Sequence, residues 1–199
     1  MTEGEVILNA TTRDGQDFST YASSPLGNGW SGSLLVAANH HSAKDLDDDG
    51  WIDLPEYERW SVRPRLFWDG SEGTNLYLTV GAMGEDRKGG TLSGGLIPDG
   101  YPFQQNQDTD RLDGGFVLQH PINDHLSAQV RASAFRQQHD HVFGDLLEED
   151  RHQTILTEAS LSGDLPSASW VGGVVYQSDE YDSDTFPIHD YKYESPAAF

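Results

Sequence analysis

One short stretch of this chain has the residue types and spacing to hold a metal ion. Residues 45–56 read D-L-D-D-D-G-W-I-D-L-P-E. Asp45, Asp47, Asp49, Asp53 and Glu56 fall at positions 1, 3, 5, 9 and 12 of a twelve-residue calcium loop. Gly50 falls at position 6, where such a loop turns sharply, and Trp51 at position 7 would ligate through its backbone carbonyl. Calcium is a hard cation that takes six to eight oxygens, and Glu56 would close the shell with both carboxylate oxygens. Without a cation, five carboxylates so close would repel one another. The spacing therefore predicts a Ca2+ site at Asp45, Asp47, Asp49, Trp51, Asp53 and Glu56. The plainer reading is a solvated acidic turn in an Asp-rich chain.

Other groups with chemical potential read more plainly. His139, Asp140 and His141, with Arg151 and His152 nearby, contain a two-residue spacing that puts both rings on one side of an extended chain. Nothing in the sequence orients those rings as a metal site requires, so a polar loop that hydrogen-bonds water or ligand is the better reading. His40 and His41 are read the same way. The Gly-rich string at 89–95 lacks the Lys-Ser/Thr of a phosphate loop and no helix follows it. Ser, His and Asp are abundant, but no nucleophile-elbow string occurs, so no enzymatic site is predicted.

The totals narrow the field. The 199 residues carry 12 Lys and Arg against 33 Asp and Glu, a net charge of −21. Phosphate contacts need a basic surface, so nucleic acid is excluded as a partner. There is no Cys, hence no disulfide and no thiolate chemistry. No apolar run approaches the eighteen or so residues of a membrane helix. The N-terminus lacks the basic region and apolar core of a signal peptide. A transmembrane barrel is not excluded by these absences, because its strands alternate in polarity.

Alternation is what the chain has. Strands are predicted at 5–12, 18–25, 30–41, 58–68, 74–83, 111–120, 125–137, 153–162 and 167–177, with a tenth beginning at 191. On the fourth, Trp60, Val62, Pro64, Leu66 and Trp68 share one face, opposite Ser61, Arg63, Arg65 and Phe67. Pro64 predicts a local irregularity, since proline cannot donate to the ladder. Residues 84–110, 139–151 and 178–190 are read as loops, rich in polar residues and without clear periodicity. Short turns near Asn28, Ser71, Asn123 and Asp164 alternate with long loops near Asp49, Pro98, Asp145 and Asp184. In an up-and-down antiparallel sheet this puts all short turns at one end and all long loops at the other, as in an outer-membrane barrel. Trp30, Trp60, Trp68 and Trp170 sit near strand ends, where an aromatic girdle would lie. Arg63, Arg65, Arg131 and Glu158 lie on polar strand faces, as a salt-bridged barrel wall would have them.

Several strings resemble the TonB-dependent outer-membrane receptors that import iron–siderophore complexes and cobalamin. They are YASSPLGNGWSGSLL at 21–35, DGWIDLPEYERWSVRPRLFWD at 49–69, GEDRKGGTLSGG at 84–95, RASAFRQQHDHVFGD at 131–145 and DRHQTILTEASLSG at 150–163. The resemblance implies an all-β fold: an open segment, residues 1–199, of a 22-stranded transmembrane β-barrel, comprising its first nine or ten strands. It implies outer-membrane lipid as the surroundings and a small metal chelate or cofactor as the substrate. It also implies TonB as a partner, acting through a plug that has no counterpart in these residues. Some cobalamin receptors of this family bind calcium on extracellular loops, so the acidic loop carries that role over. The alternative from another class is a secreted, calcium-stabilised β-sandwich acting as a binding or adhesion module. A carbohydrate-active β enzyme is a third option, but no pair of converging acids stands out.

Overall fold

A computed structural model describes residues 1–92 and 101–199. The second half of the Gly-rich string, with Pro98, lies outside the described residues. Ten strands form: β1 (Glu3–Ala10), β2 (Gly15–Gly27), β3 (Trp30–His41), β4 (Glu56–Asp69), β5 (Asn75–Gly90), β6 (Gln104–Asn123), β7 (Leu126–Phe143), β8 (Leu146–Leu165), β9 (Ala168–Ser183) and β10 (Tyr191–Ala198). They lie in one sheet in chain order, each antiparallel to its neighbours. β1 and β10 each have a single strand partner, so the sheet is open. Among the described residues the only helical turns are two 3-10 turns, at Ser71–Gly73 and Pro187–His189. The up-and-down order inferred from loop lengths is the one observed.

The sandwich is overturned by this topology, because the described residues form one sheet with no second layer. Among the described residues no apolar side chain is buried. Instead the pleat sorts side chains onto two faces. One row runs Val6, Thr20, Val36, Val62, Ala82, Leu112 across six strands. On the same face Leu8, Leu34, Leu66, Val80, Val130, Ile155, Leu161 and Val174 stand exposed. The opposite face runs Asp17, Asn39, Arg59, Glu85, Thr109, His139, Asp150. Pro64 behaves as its chemistry requires: the β4–β5 pairing skips Arg63 and Pro64.

Tight turns close the short end. At Asn28 and Gly29 both φ values are positive, 52° and 81°, as a two-residue primed hairpin turn needs. A Cβ on Gly29 would also run into the Asp69 carbonyl oxygen, so only glycine fits there.

Strand reaches into all three predicted loops. β5 and β6 extend into 84–110, and β7 and β8 meet at a two-residue turn, Gly144 and Asp145, inside 139–151. β9 runs on to Ser183. The turn near Asp145 is thus short, and it crowns a long hairpin. The cause lies in the second face. Past Ala82, Leu112 and Ala134 the apolar face itself turns polar, with Asp86, Asp108 and Asp140 in the next rows. A strand that is wet on both sides has no period-2 contrast to read. About nine residues of β7 run past Ala134, roughly 30 Å at about 3.3 Å per residue.

Candidate functional site

The acidic loop grows from the ends of β3 and β4. Lys44 and Leu54 exchange backbone hydrogen bonds, both at 3.0 Å, and pinch off the segment between them. Inside it Asp45 organises the backbone. Its Oδ1 accepts from the Asp47 and Asp48 amides at 3.3 and 2.8 Å, and its Oδ2 from the Gly50 amide at 2.8 Å. Asp48 and Gly50 turn through positive φ, 61° and 87°. The Asp49 carboxylate accepts from the Trp51 amide at 2.8 Å, and that of Asp53 from the Leu46 amide at 2.7 Å.

The neighbouring hairpin pins this loop. The Ile52 amide donates to the Gly90 carbonyl at 2.8 Å, and the Leu92 amide to the Gly50 carbonyl at 2.9 Å. The Trp51 ring stacks on Phe103 with centroids 5.8 Å apart. A ligand that acts through its backbone carbonyl leaves its side chain free to vary, and here that side chain is a structural anchor. Lys44 pairs with Asp14 and so ties the loop to the β1–β2 turn.

One carboxylate oxygen each from Asp45, Asp47 and Asp49 lies within 4.8 Å of the others, so these three can share one cation. Asp45 is half-buried and the other two are exposed. Lost hydration opposes ionisation of Asp45, but the amides of Gly50, Asp48, Asp47 and Asp49 outweigh it and hold its carboxyl below the usual range. Asp47 goes the other way. Repulsion from Asp49, then lost hydration and repulsion from Asp53, raise its carboxyl. Asp53 is turned to the Leu46 amide, outside that trio. Glu56 is the first residue of β4, where it stands opposite Lys88 with Nζ 3.9 Å from its carboxylate.

The histidines do not converge. His139 and His141 do share a side, with ring centroids 5.3 Å apart. His139 Nδ1 is 2.9 Å from the Thr109 hydroxyl. His152 is bound to Asp179 at 3.0 Å. Arg151 opposes Gln138 on the other face of the sheet. His40 lies 3.4 Å from Glu58, and His41 stacks on Tyr57.

The polar face carries the charged residues expected there. Arg131 opposes Glu158 and bonds it at 2.5 Å. Arg63 forks onto Asp113 with bonds of 2.7 and 2.8 Å. Arg59 and Arg87 share Glu85, which is 7% exposed. Arg111 lies over the Phe135 ring at 4.8 Å, and Phe135 meets His152 edge-on at 5.1 Å. Tyr181 and Tyr191 stack 5.8 Å apart beyond His152. Asp113, Glu85 and this ring column were not singled out from the sequence. Arg63 and Arg59 reach the two carboxylates from β4, the rings come from several strands, and only the register brings these groups together.

No protein-family model matches this chain, and no curated protein matches it. Among solved structures it is similar to the siderophore receptor PiuA from Acinetobacter baumannii, with a TM-score of 0.65 and 13% identity. The match covers 98% of this chain and 37% of that one, so the chain spans little more than a third of the receptor's length. At that identity the likeness bears on fold alone. The chain is an all-β, up-and-down antiparallel sheet of ten strands, open at both edges and folded like part of that receptor.

Proposed function

We propose that this chain is part of the wall of an outer-membrane β-barrel of the TonB-dependent receptor kind. The complete protein would bind a small metal chelate or cofactor at the long-strand end and pass it inward, with TonB supplying energy. One observation carries the reading. A sheet in which, among the described residues, no apolar side chain is buried and one face stays apolar and exposed needs a nonpolar medium against that face. On β4 the apolar stretch from Trp60 to Trp68 is nine residues, matching the roughly nine to eleven of a tilted membrane strand. Trp60 at one end and Trp30, Trp68 and Trp170 at the other suit the two interfaces. The polar face, with its Arg–carboxylate pairs, then lines the interior. The similar solved structure is of a siderophore receptor, which favours an iron chelate as cargo.

Within this reading the acidic loop is a calcium clamp. Asp45, Asp47 and Asp49 fit a hard cation, since all offer oxygen and their mutual repulsion calls for a counter-charge. The Trp51 carbonyl, Asp53 and Glu56 are the further donors of the twelve-residue pattern, and Asp53 and Glu56 would have to turn from the Leu46 amide and Lys88 to join the ion. A bound ion would neutralise the trio and hold the loop against the Gly90–Leu92 backbone. The test is cellular. Expressed whole, the protein carrying this chain should fractionate with the outer membrane and support iron-chelate uptake that stops when the proton gradient is collapsed. Recovery in the soluble fraction, or uptake indifferent to the gradient, would sink the reading.

A further inference from the structure

Just past the apolar face, four carboxylates line up across four strands. Asp86 of β5 stands opposite Asp108 of β6, Asp108 opposite Asp140 of β7, and Asp140 opposite Glu149 of β8. Adjacent strands lie about 4.8 Å apart, and like charges directly opposite each other destabilise a sheet. The surroundings neutralise little of this. Lys88 pairs with Asp86 at 3.2 Å. Among the described residues Asp108, Asp140 and Glu149 make no ion pair. Facing them are Asp110 on β6, Glu58 on β4 and Asp182 on β9, all acidic. Besides Lys88, the cations near the row on this face are Arg136, held by Gln138 at 3.3 Å, and Arg151, opposite Gln138 and Asp182.

We propose that this row is a pH-sensitive fastener for the free ends of the β5–β6 and β7–β8 hairpins. Ionised, the four groups push adjacent strands apart; protonated, each carboxyl can donate to the carboxylate beside it and draw the strands together. The row follows from strand register and holds whether or not the membrane reading does. The central group behaves accordingly. Lost hydration, then Asp110, Asp86 and Asp140, hold the Asp108 carboxyl above its usual range. A folded value raised above the unfolded one, about 4, gives stability that is full below that value. It is lost as pH rises through the raised value. The hairpin ends should therefore tighten on mild acidification, whereas carboxylates paired with cations loosen.

Amide hydrogen exchange of the complete protein in detergent micelles tests this, with rates corrected for the intrinsic effect of pH. Amides of 104–110 and 138–149 should be roughly two- to tenfold more protected at about pH 4 than at pH 7.5. Asp108→Asn combined with Asp140→Asn should bring that protection at pH 7.5 and remove its pH dependence. The wild-type comparison stands alone if the double variant misfolds, and Asp140→Asn by itself offers a milder version. Protection that is equal at the two pH values, or lower at the acid one, would overturn the proposal. So would a folded variant no better protected than wild type at pH 7.5.

Discussion

Arg63 and Asp113 lie fifty residues apart in sequence and grip each other through two parallel hydrogen bonds of 2.7 and 2.8 Å. The grip passes from β4 to β6 over the strand between them. It is possible because β5 carries Gly81 there: a Cβ at that position would collide with the Arg63 guanidinium. Three strands are thus locked by one pair and one missing side chain. Asp113 is 17% exposed and Arg63 33%, so the pair sits between a surface bridge and a buried one. Asp113→Ala should cost about 1–3 kcal/mol in urea unfolding of the lipid-reconstituted protein. Gly81→Val should do similar harm by displacing the guanidinium. Exchanging both partners, Arg63→Met with Asp113→Leu, should recover part of the loss, because no charge is then left unpaired.

The Lys44–Asp14 bridge predicts acid sensitivity in the candidate calcium loop. The Lys44 hydrogen bond, then its charge, hold the Asp14 carboxyl below the usual carboxylate range. A lowered folded value gives stability that is present above the unfolded value and lost as pH falls through the folded one. Exchange protection at residues 44–54 should therefore fall once pH drops below about 4. Lys44→Met should shrink that step to the part that the lowered Asp45 carboxyl contributes, and leave β3 and β4 protected. A loop whose protection ignores pH in that range would count against the bridge.

Calcium binding separates the roles of Asp49 and Asp45. Asp49→Ala removes one donor of the trio and should weaken calcium affinity about tenfold or more, roughly 1.4 kcal/mol, in calorimetric titration. Asp45→Ala should do more, since its carboxylate also holds the Asp47, Asp48 and Gly50 amides. The loop should then loosen even before metal is added, visible as a change in Trp51 emission. If wild type takes up no calcium, or Asp49→Ala binds as tightly as wild type, the three carboxylates are a solvated turn.

Much of the fold was legible where one strand face is apolar and the other wet. Leu126, Ala128, Val130, Ala132 and Ala134 announce β7 because Ser127, Gln129, Arg131 and Ser133 alternate with them. Further along the same strand, His139 to His141 belong to a stretch that is polar on both sides and reads as a loop. The backbone continues there because it is hydrogen-bonded to β6 and β8, which local sequence does not encode. In the acidic loop the spacing of Asp45, Asp47 and Asp49 was enough to bring them together. It could not foresee that Glu56 would be taken into the β4 pleat opposite Lys88. Nor could it find Asp113 for Arg63, a pairing set by two strand registers in succession.

The most direct test of a lipid-facing sheet is a nitroxide scan, which the absence of Cys makes simple. Single labels at Val62→Cys, Leu66→Cys, Ala132→Cys and Ala134→Cys should be reached by oxygen dissolved in the bilayer and shielded from a water-soluble relaxation agent. Labels at Ser61→Cys, Arg65→Cys and Ser133→Cys, on the opposite face, should lose that lipid signature, giving a period of two along each strand. Equal access of the water-soluble agent to both sets would contradict a membrane-spanning wall.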